Sequence, residues 1–150
     1  MMTTWRPHQI IRPIAVGIVR RDDRILVMAV RDDSGELKGW RPLGGTIEFG
    51  ERAADGLRRE FLEELGKPIR EPMLLTVMEN LYSHHGTRGH EIVFVFETAF
   101  ADNQAYSNDK FPFDDGGVAN EAEWVQINRF VNGSDQLFPA GLIEAIKDRS

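Results

Sequence analysis

Glu60, Glu63 and Glu64 stand close together on one short stretch, with Arg59 beside them and Glu51 eight residues before Arg59. Set on a helix at 100° per residue, the three carboxylates fall within an arc of roughly 100°, where like charges three and four positions apart each destabilise the helix by about 0.2–0.5 kcal/mol. A divalent cation removes that repulsion. Carboxylate oxygens are hard ligands suited to Mg²⁺ or Mn²⁺, and Mg²⁺ takes a few of them while filling its shell with water and substrate phosphate oxygens. Gly44-Gly45 precedes the helix and is expected to form a turn that exposes backbone at close range, so that a carbonyl there completes the coordination. Arg59 carries a fixed fork of donors and is expected to hold Glu51 or a neighbouring carboxylate in place. Taken alone, a glutamate-rich helix face is a solvated surface and Gly-Gly an ordinary turn. Only the joint spacing raises the chemistry above that.

The segment resembles the Nudix box: Gly, five residues, Glu, seven residues, Arg-Glu, an apolar residue, any residue, Glu-Glu, any residue, Gly and a final apolar residue. Gly45, Glu51, Arg59, Glu60, Phe61, Glu63, Glu64 and Gly66 fill their places, and Lys67 departs from the last. With each residue type at about 5–7% of an average chain, the seven fixed positions coincide by chance roughly once in 10⁸ starting points. Lys67 precedes Pro68, so its departure bears on how the helix exits. Pro42-Leu43 stands where many members have Leu-Pro, which bears on the local path of the loop.

The resemblance implies an α/β fold, the family's α/β/α sandwich around a mixed β-sheet. It also implies a metal-dependent hydrolase that cleaves a phosphorus–oxygen bond in a nucleoside diphosphate linked to another moiety. Gly44 or Gly45, Glu60, Glu63 and Glu64 then serve the metal, Mg²⁺ or Mn²⁺, with Arg59 and Glu51 in support. Glu63 is the first choice for the base that takes the attacking water's proton, with Glu121 and Glu123 in reserve. Two alternatives stand beside this: a catalytically silent nucleotide-binding module that regulates a partner, and an isomerase of diphosphate esters.

The chain must position these groups with modest means. Its 150 residues, 41% hydrophobic and 28% charged, suit one domain over 1–150. A net charge of −6 argues against a broad nucleic-acid footprint and leaves small anionic substrates open. With no cysteine there is no disulfide, thiolate metal site or thiol nucleophile, in keeping with a cytoplasmic setting. The apolar run Ile10 to Val19 is broken by Arg12 and Pro13, so neither a signal peptide nor a membrane span is expected.

Patterning places a hairpin over Ile14 to Arg20 and Arg24 to Arg31, a loop over Asp32 to Gly39, and short extended pieces around the glycines from Trp40 to Phe49. The box helix is expected from about Glu51 to Leu65, without a polar N-cap; Ala54, Leu57, Phe61 and Leu65 form its apolar stripe. Gly56 inside it costs about 1 kcal/mol against Ala and suggests close approach to a neighbour. Met73 to Tyr82 and Glu91 to Phe100 are strand-like, the second buried on both faces, with His84 to Gly89 as their loop. Ala101 to Asn120 is expected to be a long polar loop lying over the site, followed by a strand from Glu123 to Ile127 and a closing helix from Ala140 to Lys147. The N-terminal strands and the long loop offer a homodimer surface. His84, His85 and His90 are weaker candidates for phosphate contact, and Trp5, Trp40, Phe49, Tyr82 and Trp124 for stacking on a base. Asp114-Asp115-Gly116-Gly117 suits a solvated turn better than an extra acid.

Overall fold

The structure is a computed structural model and describes residues 5–115 and 118–147. Its elements follow in the order β1 (Ile11–Arg21), β2 (Arg24–Arg31), β3 (Leu37–Thr46), α1 (Ala53–Leu65), β4 (Met73–His84), β5 (Thr87–Thr98), a 3₁₀ turn (Asn103–Ser107), β6 (Lys110–Asp115), β7 (Val118–Gln126), α2 (Ile127–Val131) and α3 (Leu142–Ile146). The seven strands form one mixed sheet in the order β4-β5-β1-β3-β2-β7-β6. β1 runs parallel to β5 and antiparallel to β3.

Residues 14–19 of β1 are buried without a break, as a central strand covered on both faces requires. On one face Ala15 and Val19 join Leu57 and Phe61 of α1 and the ring cluster of Phe100, Phe111 and Trp124. On the other, Val16 and Ile18 join Phe130 of α2 and Leu142 and Ile146 of α3. Helices thus flank a mixed sheet on both sides. Among the described residues, no helix is long and apolar enough to cross a membrane.

α1 is anchored by its expected stripe. Leu57 and Phe61 are wholly buried, and a Cβ on Gly17 of β1 would stand 3.2 Å from both side chains, so helix and strand pack at backbone range. Arg52 at the N-cap makes no side-chain cap bond, and the helix begins at Ala53 instead of Glu51. Gly66 closes it in the left-handed conformation at φ 67°, donating its N–H to Leu62. Lys67 has already left the helix. Ile69, two residues on, is buried in the α1 core and bridges to Phe100, supplying the apolar contact that Lys67 lacks.

Several expected boundaries shift. β1 and β2 form the expected hairpin around Asp22-Asp23, but β1 starts three residues earlier. β3 begins at Leu37 inside the expected loop. Gly44-Gly45 is not a turn: both residues lie in β3, paired with Val16 and Ala15. Their job is close packing, because a Cβ on Gly44 would meet the Ala15 carbonyl oxygen at 1.9 Å. The expected His84–Gly89 loop shrinks to a tight turn in which His85 and Gly86 take positive φ, and β4 and β5 pair up to His84 and Thr87. β5 is fully buried on the side of Val93 and Val95 and half-buried at Ile92 and Phe94.

The largest difference is over Ala101 to Asn120, which is a 3₁₀ turn and the β6–β7 hairpin at the sheet edge. Its period-two signal, Phe111 and Phe113 turned inward against exposed Pro112, is hidden among Asn, Asp and Gly. β7 therefore starts well before Glu123, and Ile127 opens α2. The closing helix is one short turn, Leu142–Ile146. Asp114 and Asp115 lie in β6, whereas Gly116 and Gly117 are outside the described residues.

Candidate active site

Arg59 organises the site. Its Nε donates to Glu51 Oε2 at 2.8 Å and its Nη2 to Glu51 Oε1 at 3.0 Å, a two-pronged grip on one carboxylate. Nη1 reaches Glu60 at 3.0 Å and Glu63 at 3.2 Å, and stands 3.6 Å from Glu48. Nη2 also donates to the Thr46 carbonyl at 3.0 Å, which ties the helix to the end of β3. One guanidinium thus faces four carboxylates. Of the four, Glu51 and Glu60 are sheltered, whereas Glu48 and Glu63 are largely exposed to solvent.

Glu51 is locked from a second side. Its Oε1 accepts the Glu48 N–H at 3.0 Å, and a Cβ on Gly56 would sit 2.8 Å from the same oxygen. The glycine inside α1 therefore makes room for the carboxylate. Arg59 and the Glu48 amide together hold the Glu51 carboxyl down at about 2, far below the ordinary carboxylate range. The same contacts raise the Arg59 guanidinium, so the pair stays ionised.

Glu60 is drawn in under the strand. Its carboxylate lies where a Cβ on Gly45 would come within 2.5 to 2.8 Å of three of its atoms, and only 16% of its side chain is exposed. Glu63 is 60% exposed and faces solvent beside it. Among the described residues, no three carboxylate or imidazole side chains stand at the spacing of a ready-made metal cage. Glu60, Glu63 and Glu64 are therefore not gathered into one ligand set in this structure. The donor set still fits Mg²⁺, since every side chain offered is a hard oxygen ligand and Gly45 brings backbone directly against Glu60.

The remaining candidates divide cleanly. Glu121 and Glu123 alternate with Ala122 and Trp124, which pack on the α1 face, so both acids point to the opposite face. Glu121 instead lies 3.8 Å from Lys110. His84 meets Lys38 at 3.2 Å, with burial pressing its pKa down, and His85 stands 3.4 Å from Asp33. None of these histidines reaches Arg59. Trp40 and Trp124 are core residues, whereas Phe49, in the loop between β3 and α1, is wholly exposed.

Two features escaped sequence reasoning. Glu48 joins the Arg59 cluster through the loop path, which spacing alone does not fix. Glu91, 8% exposed, accepts from Arg12 at 2.9 Å, Asn80 at 3.1 Å and Tyr82 at 3.4 Å. Its signal was present as a charge directly before the apolar run Ile92 to Phe96 of β5.

The NUDIX domain family matches residues 11–146 of this chain. Nucleoside triphosphatase NudI of Escherichia coli is 41% identical over 59 residues, covering 39% of this chain and 42% of that protein. The same enzyme of Escherichia fergusonii is 43% identical over 59 residues, with the same 39% and 42% coverage. The matched stretch therefore spans less than half of either relative. The fold is similar to that of a NUDIX hydrolase from Nitrosomonas europaea, at a TM-score of 0.63 and 19% identity over 93% of this chain and 88% of that one. A MutT NUDIX hydrolase from Burkholderia pseudomallei follows at a TM-score of 0.57 and 20% identity over 80% of this chain and 86% of that one.

Proposed function

This chain belongs to the NUDIX family, and from that premise we propose that it is a Mg²⁺-dependent pyrophosphohydrolase acting on a nucleoside diphosphate linked to another moiety. The observation that carries the reading is the excess of four carboxylates over the single Arg59 guanidinium, beside a glycine-lined strand. Glu60, Glu63 and Glu64, with a carbonyl of Gly44 or Gly45, would hold the metal, Mn²⁺ serving in its place. When bound, it neutralises charge on the phosphate oxygens and makes a coordinated water more acidic.

The chain's own residues do the rest. Arg59 keeps Glu51 ionised and fixed, so the loop that carries Glu48 and Phe49 holds its path against α1. Glu60 sits sheltered against Gly45 while Glu63 faces solvent, and Glu63 takes the proton of the attacking water at its carboxylate. Water oxygen bonds to phosphorus, the anhydride P–O bond breaks, and a nucleoside phosphate leaves with the electron pair. Glu121 and Glu123 lie on the other face of the sheet, which favours Glu63 as the base.

The substrate is read as a small nucleotide rather than a nucleic acid, in keeping with the net charge of −6, and residues 1–150 as one hydrolase domain in a cytoplasmic setting. Of the homodimer surface expected from the N-terminal strands and the 101–120 segment, only the latter is compatible with this reading, since β1 and β2 are interior strands and β6 is an edge. The test is turnover of a panel of nucleoside triphosphates and capped diphosphates in ¹⁸O-water, with Mg²⁺ or with chelator. Metal-dependent transfer of ¹⁸O into a product phosphate supports hydrolysis. Substrate converted without label supports the isomerase, and a raised melting temperature without turnover supports the binding module.

A further inference from the structure

The two edges of the sheet differ in kind. β6 is six residues long and carries Lys110 and Pro112, a charge and a missing donor of the sort that keep other strands from pairing. β4, at the opposite edge, is twelve residues long, holds neither lysine nor proline, and has one carboxylate, Glu79. Its bulge lies near its start, between Leu74 and Thr76, so Thr76 to His84 runs in regular register with β5. On this stretch Leu81 is 59% exposed and Val77 47%. A long, regular edge with exposed apolar side chains is a template for another strand.

The hairpin turn decides which backbone groups are open. His85 and Gly86 both take positive φ, 53° and 79°, as in a two-residue hairpin turn, so His84 and Thr87 close it as a hydrogen-bonded pair. Bonding then alternates along the ladder. His84, Tyr82, Asn80 and Met78 exchange bonds with β5, while Ser83, Leu81, Glu79 and Val77 turn their N–H and C=O groups to the open side. The side chains of these last four point to the α1 face, because Val77 stands opposite Phe94, which packs on the α1 core.

We propose that a second copy of this chain pairs with this edge, β4 against β4 in antiparallel register, with Leu81 on the two-fold axis. Charge selects the register. A two-fold at Glu79 sets that carboxylate against its own copy, which repels, and a two-fold at Asn80 sets it against Leu81. A two-fold at Leu81 instead sets Glu79 opposite Ser83 of the second copy, beyond which lies Arg88, the β5 neighbour of Ser83. Glu79 and Arg88 are both exposed and make no ion pair among the described residues. Two strand spacings, about 10 Å, separate their backbones, a gap that these long side chains close. The symmetry makes the contact twice, as a self-complementary interface requires. At its centre Leu81 meets its own copy, continuing the row that Ile11 and His90 begin on the same face. Antiparallel pairing keeps side-chain faces in common, so two seven-stranded sheets join into one with both α1 helices on the same side.

The experiment is sedimentation equilibrium of the full chain up to about 1 mM, a range that captures weak dimers. The native chain is compared with Leu81→Lys, Glu79→Arg, Arg88→Glu and the double reversal Glu79→Arg with Arg88→Glu. All positions are exposed, so the variants should melt close to the native temperature at low concentration. The expected result is a native dimer whose dissociation constant rises at least about tenfold in Leu81→Lys and in each single reversal, and returns toward the native value in the double reversal. A chain that stays monomeric over the whole range, whether or not a strand of another protein binds it, would overturn the pairing. So would a dimer that Leu81→Lys leaves unchanged, or a double reversal no tighter than the single ones.

Discussion

Arg59 holds both carboxylate oxygens of Glu51, at 2.8 and 3.0 Å, across the junction between the box loop and α1. The same guanidinium reaches Glu60, Glu63 and the Thr46 carbonyl, so one side chain sets the relative position of strand, loop and helix. Lysine cannot copy that fork, having a single point of charge and no planar pair of donors. Arg59→Lys is expected to lower stability by about 1–3 kcal/mol, the worth of charged hydrogen bonds in a partly buried setting. Hydrolysis should fall by about 10–100-fold, as for residues that orient ligating groups. Urea unfolding and kcat/KM on the same preparation check both numbers.

The two neighbouring glycines are expected to fail differently. A Cβ at Gly44 would lie 1.9 Å from the Ala15 carbonyl oxygen and 2.7 Å from Val16 Cα, both backbone atoms that cannot swing aside. Gly44→Ala should therefore cost at least about 3 kcal/mol and compromise folding. At Gly45 the Cβ meets the Glu60 carboxylate, the far end of a flexible side chain. Gly45→Ala should fold, lose much less stability, and raise the Mg²⁺ concentration needed for half-maximal activity. Thermal denaturation of both variants, with an Mg²⁺ titration of the second, separates the two effects.

Phe61 ties α1 to the sheet at 1% exposure, against Gly17 and in edge contact with Phe100 at 6.2 Å between ring centres. Phe61→Ala is expected to cost about 3–5 kcal/mol through lost burial and the cavity left behind. Since α1 carries the carboxylates, activity should be lost in step with the folded fraction. Activity well above the folded fraction at the same temperature would show that the carboxylates do not depend on this anchor.

Tyr82 gives a spectroscopic handle on the cluster beneath the N-terminal segment. Burial and the Glu91 carboxylate push its phenol up to about 12, above the ordinary value near 10. The folded state therefore holds this proton where the unfolded state has released it. Its contribution to stability is fully present below pH 10 and is lost as pH rises through 12. Phenolate absorbance should show a step near pH 12 that disappears in Tyr82→Phe and moves to lower pH in Glu91→Gln. A step near pH 10 in the difference between the native protein and Tyr82→Phe would contradict the placement of Tyr82 beside Glu91.

The site was legible where chemistry depends on helical spacing. Arg59, Glu60 and Glu63 fall together because α1 is a regular helix, and the cost of Gly56 in that helix pointed to a close neighbour without naming Glu51. Legibility ended where the backbone path is set by distant pairing. Gly44-Gly45 looks like a turn in sequence, yet pairing with β1 draws it into a strand, because only glycine allows β1 so close. The β6–β7 hairpin was hidden because its two inward phenylalanines are outnumbered by turn-forming residues, while burial against Phe100 and Trp124 decides the outcome. Glu91 stayed hidden for a related reason: its partners Arg12 and Asn80 come from two other strands.

The most direct test of the hydrolase reading is steady-state hydrolysis of the best nucleoside triphosphate across an Mg²⁺ titration, for the native chain and Glu64→Gln side by side. The expected result is turnover that vanishes with chelator and falls at least about 100-fold in Glu64→Gln, with little change in melting temperature. Turnover that persists in chelator, or that Glu64→Gln leaves at the native rate, would contradict it.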